Sequence, residues 1–392
     1  MSILGCDLIC FSHLRWGFVF QRPQHLMGRF ARHNRVFFFE EPIFEGDAHV
    51  LRRSVCAETG VHIVTPVLPA GTESSAPIFL RLLLDSLLAV ERIKSFMAWF
   101  YTPMALEFSS HLTPVATVYD CMDELSMFKG APPILCERER DLFQQADLVF
   151  TGGFNLFEAK RDRHPNIHPM PSSVDVPHFA RARTGDFSPQ DQKDLPRPRL
   201  GYAGVIDERM DMELLRQIAG LCPDWQLVMV GPVVKIDPAT LPRFNNIHYL
   251  GMKSYQELPL YFSGWDVAML PFALNDSTRF ISPTKTPEYM AAGLPVVSTP
   301  IHDVVSPYGA LNLVEIASDG PQFIQAARRQ LESGKTLEAR QRAEAFLADV
   351  SWDRTWSAMN ELAGEAIRSK RRHGQPDSSW NIARIEKGLA NV

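Results

Sequence analysis

Apolar residues come in short runs along this chain, each followed by a polar or glycine-bearing loop and then a stretch of helical periodicity. Asp7-Leu8-Ile9-Cys10-Phe11-Ser12 and Val36-Phe37-Phe38-Phe39 have strand length. Between them Pro23 opens a helix to about Arg32, with Leu26, Met27 and Phe30 on one face. Strand, polar loop, helix and strand in this order predict a parallel α/β layer. Val61 to Thr65, Ala98-Trp99-Phe100-Tyr101, Ala116-Thr117-Val118-Tyr119 and Asp147-Leu148-Val149-Phe150-Thr151 extend the pattern. Ile78 to Ile93 reads as a leucine-rich helix, and Asn155 to Arg161 as another. The alternation then restarts. Leu200 to Gly204, Leu227 to Gly231, Ile247 to Gly251, Asp266 to Pro271, Val296 to Thr299 and Leu313 to Ile316 read as strands. Met212 to Ala219 and Tyr255 to Phe262 read as helices, as do stretches from about Pro321 and Leu337. Ser351 caps a last helix. The polar passage 181–198, with Pro189, Pro196 and Pro198, divides the two series. The expected organisation is one α/β domain over 1–182, a second over 196–350, and a C-terminal segment 351–392. The tail from Ser369 is basic and then polar, and is expected to be mobile.

One stretch organises the second series: Ile281-Ser282-Pro283-Thr284-Lys285-Thr286-Pro287-Glu288-Tyr289-Met290-Ala291-Ala292-Gly293-Leu294-Pro295-Val296-Val297. Ser282 and Thr286 each precede a proline, so either could cap the helix. Gly293 suits a left-handed stop, and Pro295 prevents continuation. Lys285 is the oddity. A cation at a helix start is disfavoured by roughly 0.3–1 kcal/mol, and an anion held there reverses the sign. A phosphate met by Lys285, by the hydroxyls of Ser282 and Thr284 and by backbone N–H groups satisfies all of them. The plainer alternative is a scaffold helix with Lys285 in water. Gly204, Gly231 and Gly251 each end an apolar run, where a missing side chain lets backbone approach a ligand. Arg209, just after Gly204, is a second candidate for the phosphate, or else an exposed loop arginine.

Loops after the carboxyl ends of parallel strands line the ligand crevice. The first such loop places His13, Arg15, Gln21 and Arg22 there, unless Arg22 only pairs with an acid and His13 only caps a turn. Asp120-Cys121-Met122-Asp123-Glu124 ends another apolar run. Asp120 or Asp123 could take a proton from an acceptor hydroxyl, with His13 the third catalytic candidate. Both acids could equally be helix caps. Asp-x-x-Asp is not a metal signature, so neither a metal nor a cofactor is expected. No G-x-G-x-x-G follows the first strand, which weighs against a dinucleotide cofactor.

The anchor stretch resembles the donor-binding segment of GT-B glycosyltransferases, nearest to family 4 and related bacterial polysaccharide and glycolipid enzymes. Pro283, Lys285, Glu288, Tyr289, Ala291, Gly293, Pro295, Val296 and Val297 carry the resemblance. Phe11-Ser12-His13-Leu14-Arg15-Trp16 and Gln21-Arg22-Pro23-Gln24-His25-Leu26 resemble the opening of the same group. Val174, Asp175 and Phe179 resemble its crossover between domains, with Ser172-Ser173 where asparagine-glycine is usual. The resemblance implies two doubly wound Rossmann-like domains facing a cleft, with acceptor on the first and donor on the second. It implies that Lys285 meets a diphosphate, Glu288 the ribose, and Met252, Lys253 and Tyr255 the base. It also implies a final helix returning to the first domain. The family often has a second glutamate where this chain has Phe280, which bears on the donor sugar and the stereochemical course.

Composition narrows the class further. A formal charge of −5 over 392 residues argues against a nucleic-acid binder. The six cysteines form no C-x-x-C pair and read as reduced thiols. No export signal and no membrane-spanning run is recognised. The expected protein is cytoplasmic, either free or peripheral at the inner membrane face. It would move a sugar from a UDP- or GDP-linked donor to a glycan or lipid-linked acceptor. The rival readings are a nucleotide-sugar 2-epimerase on the same fold and a non-catalytic sugar-nucleotide-binding protein.

Overall fold

The computed structural model describes residues 5–184 and 189–374. Gly185 and Asp186 of the expected linker, and the tail beyond Gly374, lie outside the described residues. The first sheet contains β1 (Asp7–Ser12), β2 (Val36–Glu40), β3 (Ile43–Phe44), β4 (Val50–Val55), β5 (His62–Leu68), β6 (Phe96–Phe100), β7 (Ala116–Cys121), β8 (Leu148–Thr151) and β9 (Ile167–Pro169). Its order is β3-β5-β2-β1-β6-β7-β8-β9, parallel throughout, with β4 antiparallel on β5. The second sheet contains β10 (Arg199–Ala203), β11 (Gln226–Val230), β12 (Ile247–Gly251), β13 (Val267–Leu270), β14 (Val296–Ser298) and β15 (Glu315–Ile316). Its order is β12-β11-β10-β13-β14-β15, also parallel. Each sheet is doubly wound, and its order reverses beside its first strand. The reversal point is where ligands bind, outside the carboxyl ends of the strands.

The period of two along β1 explains the layering. Ile9 and Phe11 join one core with Leu80, Leu84 and Leu87 of the helix Ala76–Val90. Leu8 and Cys10 join the core on the other face, with Leu26, Met27 and Phe30 of the helix Arg22–Phe30. That second core also takes Trp352, Met359, Ala363, Ala366 and Ile367 of the last helix, Trp352–Gly374. The last helix thus packs on the first sheet, and Lys370 pairs with Asp147 at 2.7 Å. Ser351 accepts from Arg354 N at 3.2 Å, as a cap should. The basic residues Lys370 to Arg372 continue this helix rather than starting a tail.

β3 and β4 were not expected. β4 is almost wholly exposed along Val50–Val55, so its sequence carries no apolar run. The helix expected from Tyr255 begins at Leu258 instead. Tyr255 is drawn out of it, stacked between Phe20 at 4.5 Å and His178 at 4.1 Å. Neither Ser282 nor Thr286 caps the anchor helix. It runs Lys285–Ala291 after Thr284, whose side chain makes no capping bond. Gly293 does hold a left-handed φ of +77° at its end.

The two sheets are tied together. Asp303, from the second, accepts from Phe154 N at 2.9 Å and Asn155 N at 3.0 Å, filling the otherwise uncapped start of the helix Phe154–Lys160. Asn155 Nδ2 donates to Arg279 O at 2.5 Å. Phe280, beside it, packs against the first sheet's core.

Candidate functional site

The carboxyl ends of the two sheets face each other across a cleft. A pocket of about 400 Å³ lies between them. Trp16, Phe18 and Phe20 of the loop after β1 form one wall. Gly204, Gly231, Lys253, Tyr255 and Lys285 form the other. The two halves of the chain thus contribute jointly to one site.

Lys285 is mostly buried, at 15% exposure, and pairs with Glu288 at 2.5 Å. Burial raises the pKa of Glu288, and the Lys285 charge opposes that rise. The anion that relieves Lys285 is therefore Glu288, one turn along. Ser282 does not reach the pocket. Its Cβ stands so close to Gly153 that a Cβ there would lie 2.8 Å away. Thr284 does not line the pocket either. Gly204 and Gly231 do line it, but their first reason is each other. A Cβ on Gly231 would lie 1.8 Å from Gly204 O, so only glycine lets the ends of β10 and β11 close up. Lys253 is at the rim and pairs with Asp191 at 2.6 Å. The Tyr255 hydroxyl is buried without a hydrogen-bond partner, within electrostatic reach of Glu288.

The opening loop sorts differently from its expected reading. Arg22 is 1% exposed and Asp120 is 0% exposed, paired at 2.8 Å. Arg22 Nε donates to both Asp120 oxygens at 3.1 Å, and Nη1 to Met170 O at 2.6 Å. Both side chains are buried against each other, an arrangement that favours an ion pair holding the two segments over direct contact with a substrate. Arg15 is spent on β2, bonded to Glu40 at 3.2 Å and Pro42 O at 3.2 Å. Gln21 precedes the helix Arg22–Phe30, its N–H bonded to Gln24 Oε1 at 3.0 Å. These two orient the loop rather than lining the pocket.

Of the three acids at the carboxyl end of β7, two are neutralised. Arg22 takes Asp120, and buried Lys160 takes Glu124 at 2.6 Å. Asp123 is left facing the second sheet's Arg209. Burial raises the pKa of Asp123, with Arg209 and Arg22 opposing and Asp207 adding to the rise. Arg209 is itself chelated by Asp207, at 2.9 Å and 3.1 Å from Nε and 2.7 Å from Nη2. His13, within electrostatic reach of Lys235, is half-buried, its Nδ1 without a hydrogen-bond partner. Burial, and then the charge of Lys235, push its pKa down to about 4. A neutral imidazole and a carboxylate of raised pKa are both proton acceptors at neutral pH.

Lys235 escaped the sequence reading. It stands at φ +60° in the loop after β11, and with Arg209 it clamps the ring of Phe128, their cations 5.5 Å and 5.4 Å from its centre. Phe128 follows the acids of the first half, so this clamp joins the two halves. Only its place after a glycine-ended strand could have signalled it. Among the described residues, no group of three or more His, Cys, Asp or Glu is placed to hold a metal ion.

Two doubly wound parallel sheets with their carboxyl ends across a shared cleft, and a last helix returning to the first, define the GT-B fold of glycosyltransferases. Comparison with known proteins agrees. Residues 197–333 match the family model described as Glycosyl transferases group 1. TuaH of Bacillus subtilis (strain 168), named for glycosyl transfer in teichuronic acid biosynthesis, is 30% identical over 219 residues. That match covers 51% of this chain and 54% of TuaH, so the chain spans about half the length of the curated relative it matches. Sucrose-phosphate synthase from Thermosynechococcus elongatus superposes with a TM-score of 0.71 at 14% identity, over 93% of this chain and all (100%) of that one. The Escherichia coli trehalose-6-phosphate protein bound with UDP-2-fluoro glucose gives 0.65 at 12%, covering 91% and 99%. Anabaena HepE in complex with UDP and glucose gives 0.66 at 12%, covering 91% and 99%. At these identities the three structures speak to the fold alone.

Proposed function

We propose that the chain transfers a sugar from a nucleoside diphosphate-sugar to a hydroxyl group of a glycan or glycolipid. The carrying observation is Lys285, a largely buried cation lining a pocket between the two sheets, beside the glycine ends of β10 and β11. In this reading an incoming diphosphate takes Lys285 from Glu288, and the freed carboxylate accepts from the ribose hydroxyls. Phe20, Met252 and Tyr255 give the base an apolar wall, with Lys253 at its edge. Arg209 and Lys235 add positive charge where the leaving group gathers negative charge. Asp123 is the foremost proton acceptor for the attacking hydroxyl, with His13 the second candidate. No metal or other cofactor enters this scheme. The donor is UDP- or GDP-linked, and UDP is the first to test because two structural neighbours carry it by their descriptions. TuaH, by its name, supports a polysaccharide product. We place the reaction in the cytoplasm, with peripheral contact at the inner membrane face. Among the described residues no helix is long and apolar enough to cross a membrane. No observation favours the epimerase.

The test is a thermal-shift screen with UDP, GDP, ADP and their glucose conjugates. A ligand at 100 times its dissociation constant stabilises by about 2.7 kcal/mol, a readily measured shift. UDP or GDP, with the matching sugar conjugate, is expected to raise the midpoint, and slow donor hydrolysis is expected on incubation. No shift with any nucleotide would remove the reading. A shift without hydrolysis would favour the binding-protein alternative.

A further inference from the structure

A second cavity, of about 670 Å³, lies wholly in the first half, at the carboxyl ends of β1, β2 and β6. Its walls are Phe11, Phe39, Phe44, Leu80, Met104 and Phe108. The aromatic walls brace one another: Phe11 and Phe108 centres stand 5.9 Å apart, and Phe39 and Phe108 5.7 Å. A braced apolar cavity of this size is a binding site for a small hydrophobic group. Ser12 lines it, and the next residue, His13, belongs to the cleft. Glu41 on its rim is within electrostatic reach of Lys235 from the second half. The cavity's rim therefore approaches the second half of the chain.

Its polar groups choose among hydrophobic ligands. Glu41, Glu73 and Glu107 line it against Arg138, while Glu40, also on its wall, is already paired with Arg15. A mouth this acidic repels a phosphate. Arg138 Nε, buried and without a hydrogen-bond partner, is 3.6 Å from Glu107 and can donate to an uncharged hydroxyl.

We infer that this cavity holds the uncharged hydrocarbon aglycone of the acceptor, so that the acceptor is a neutral amphiphilic glycoside. The assignment rests on the transferase reading for calling the ligand an acceptor. The cavity's walls set the hydrocarbon, and its acidic mouth excludes a lipid phosphate. The helix Ala76–Val90 supplies Leu80 to the wall and leaves Ile78 and Leu82 outside, 65% and 61% exposed. Those two residues are the competing surface site for the same hydrocarbon.

Calorimetry with methyl, hexyl and octyl β-D-glucoside, below their micelle concentrations, and with octyl phosphate tests the assignment. Octyl glucoside is expected to bind, hexyl glucoside about ten-fold more weakly for its two fewer methylene groups, and methyl glucoside not detectably. Octyl phosphate is expected to bind at least about ten-fold more weakly than octyl glucoside. Met104→Trp, which narrows the cavity, is expected to weaken octyl glucoside binding by at least about ten-fold, and Ile78→Gln with Leu82→Gln to leave it unchanged. Phe44→Asp, at the half-buried rim, replaces Met104→Trp if that variant does not fold. Binding without chain-length dependence, unchanged binding in the narrowed variant, loss in the helix-surface variant, or equal binding of octyl phosphate would each overturn the inference. UDP and GDP titration of the same proteins separates the two claims. UDP or GDP binding without glucoside binding removes the aglycone site and keeps the transferase, whereas failure of both nucleotides removes the transferase reading itself.

Discussion

Asp123→Asn is expected to lower turnover by about 10²–10⁴-fold while leaving nucleotide affinity within about two-fold of wild type. Asp123 is the acid after β7 that no buried cation neutralises, since Arg22 holds Asp120 and Lys160 holds Glu124. It faces Arg209 across the cleft. Its carboxylate must be deprotonated to accept a proton, and burial raises its pKa above the ordinary aspartate value. Activity should therefore rise with pH through a value above that of a free aspartate, and this limb should vanish in the asparagine variant. Steady-state rates across pH, with a glycoside acceptor, measure both. Near-normal turnover in Asp123→Asn would move the base to His13. That ring, held neutral down to about pH 4, would give a limb near that value.

Asp120→Asn is expected to act on stability instead. The substitution leaves Arg22, 1% exposed, without a counter-charge. Breaking one side of a buried ion pair costs about 3–5 kcal/mol, a large part of the roughly 5–15 kcal/mol that holds a domain folded. Urea unfolding should show a lower midpoint, with residual turnover in the folded fraction much higher than in Asp123→Asn. A loss under about 1 kcal/mol would mean that water or Met170 O compensates the guanidinium, and Asp120 would return as a catalytic candidate. The two aspartates thus separate by measurement, although their sequence context is the same.

That separation marks where the sequence stops being legible. Alternating apolar runs and helical periodicity fix the two parallel sheets, because strands buried on both faces have to read as continuous apolar runs. Gly293 announces the helix stop because φ +77° suits little else. The anchor lysine is legible through its odd place at a helix start. Asp120, Asp123 and Glu124 cannot be sorted from one segment, since their partners Arg22, Arg209 and Lys160 come from three others. Ser282 reads as a phosphate ligand until Gly153, far away in the chain, is seen against it. β4 is invisible for the opposite reason: an exposed edge strand buries nothing and needs no apolar pattern. Tyr255 leaves its helix for a stack with Phe20 and His178, a tertiary choice that local propensity does not contain.

The account stands on Lys285 meeting a diphosphate, and calorimetry with uridine, UMP and UDP on the wild type, Lys285→Ala and Glu288→Ala tests it most directly. Lys285→Ala should lose about one to two decades of affinity for UDP, as expected for a charge-assisted bond of about 1.5–3 kcal/mol, and almost none for uridine. Glu288→Ala should lose uridine as well, and Glu288→Gln should recover part of that loss. If Lys285→Ala binds UDP as tightly as the wild type, the Lys285–Glu288 pair only holds its helix, and the pocket between the two sheets is not a diphosphate site.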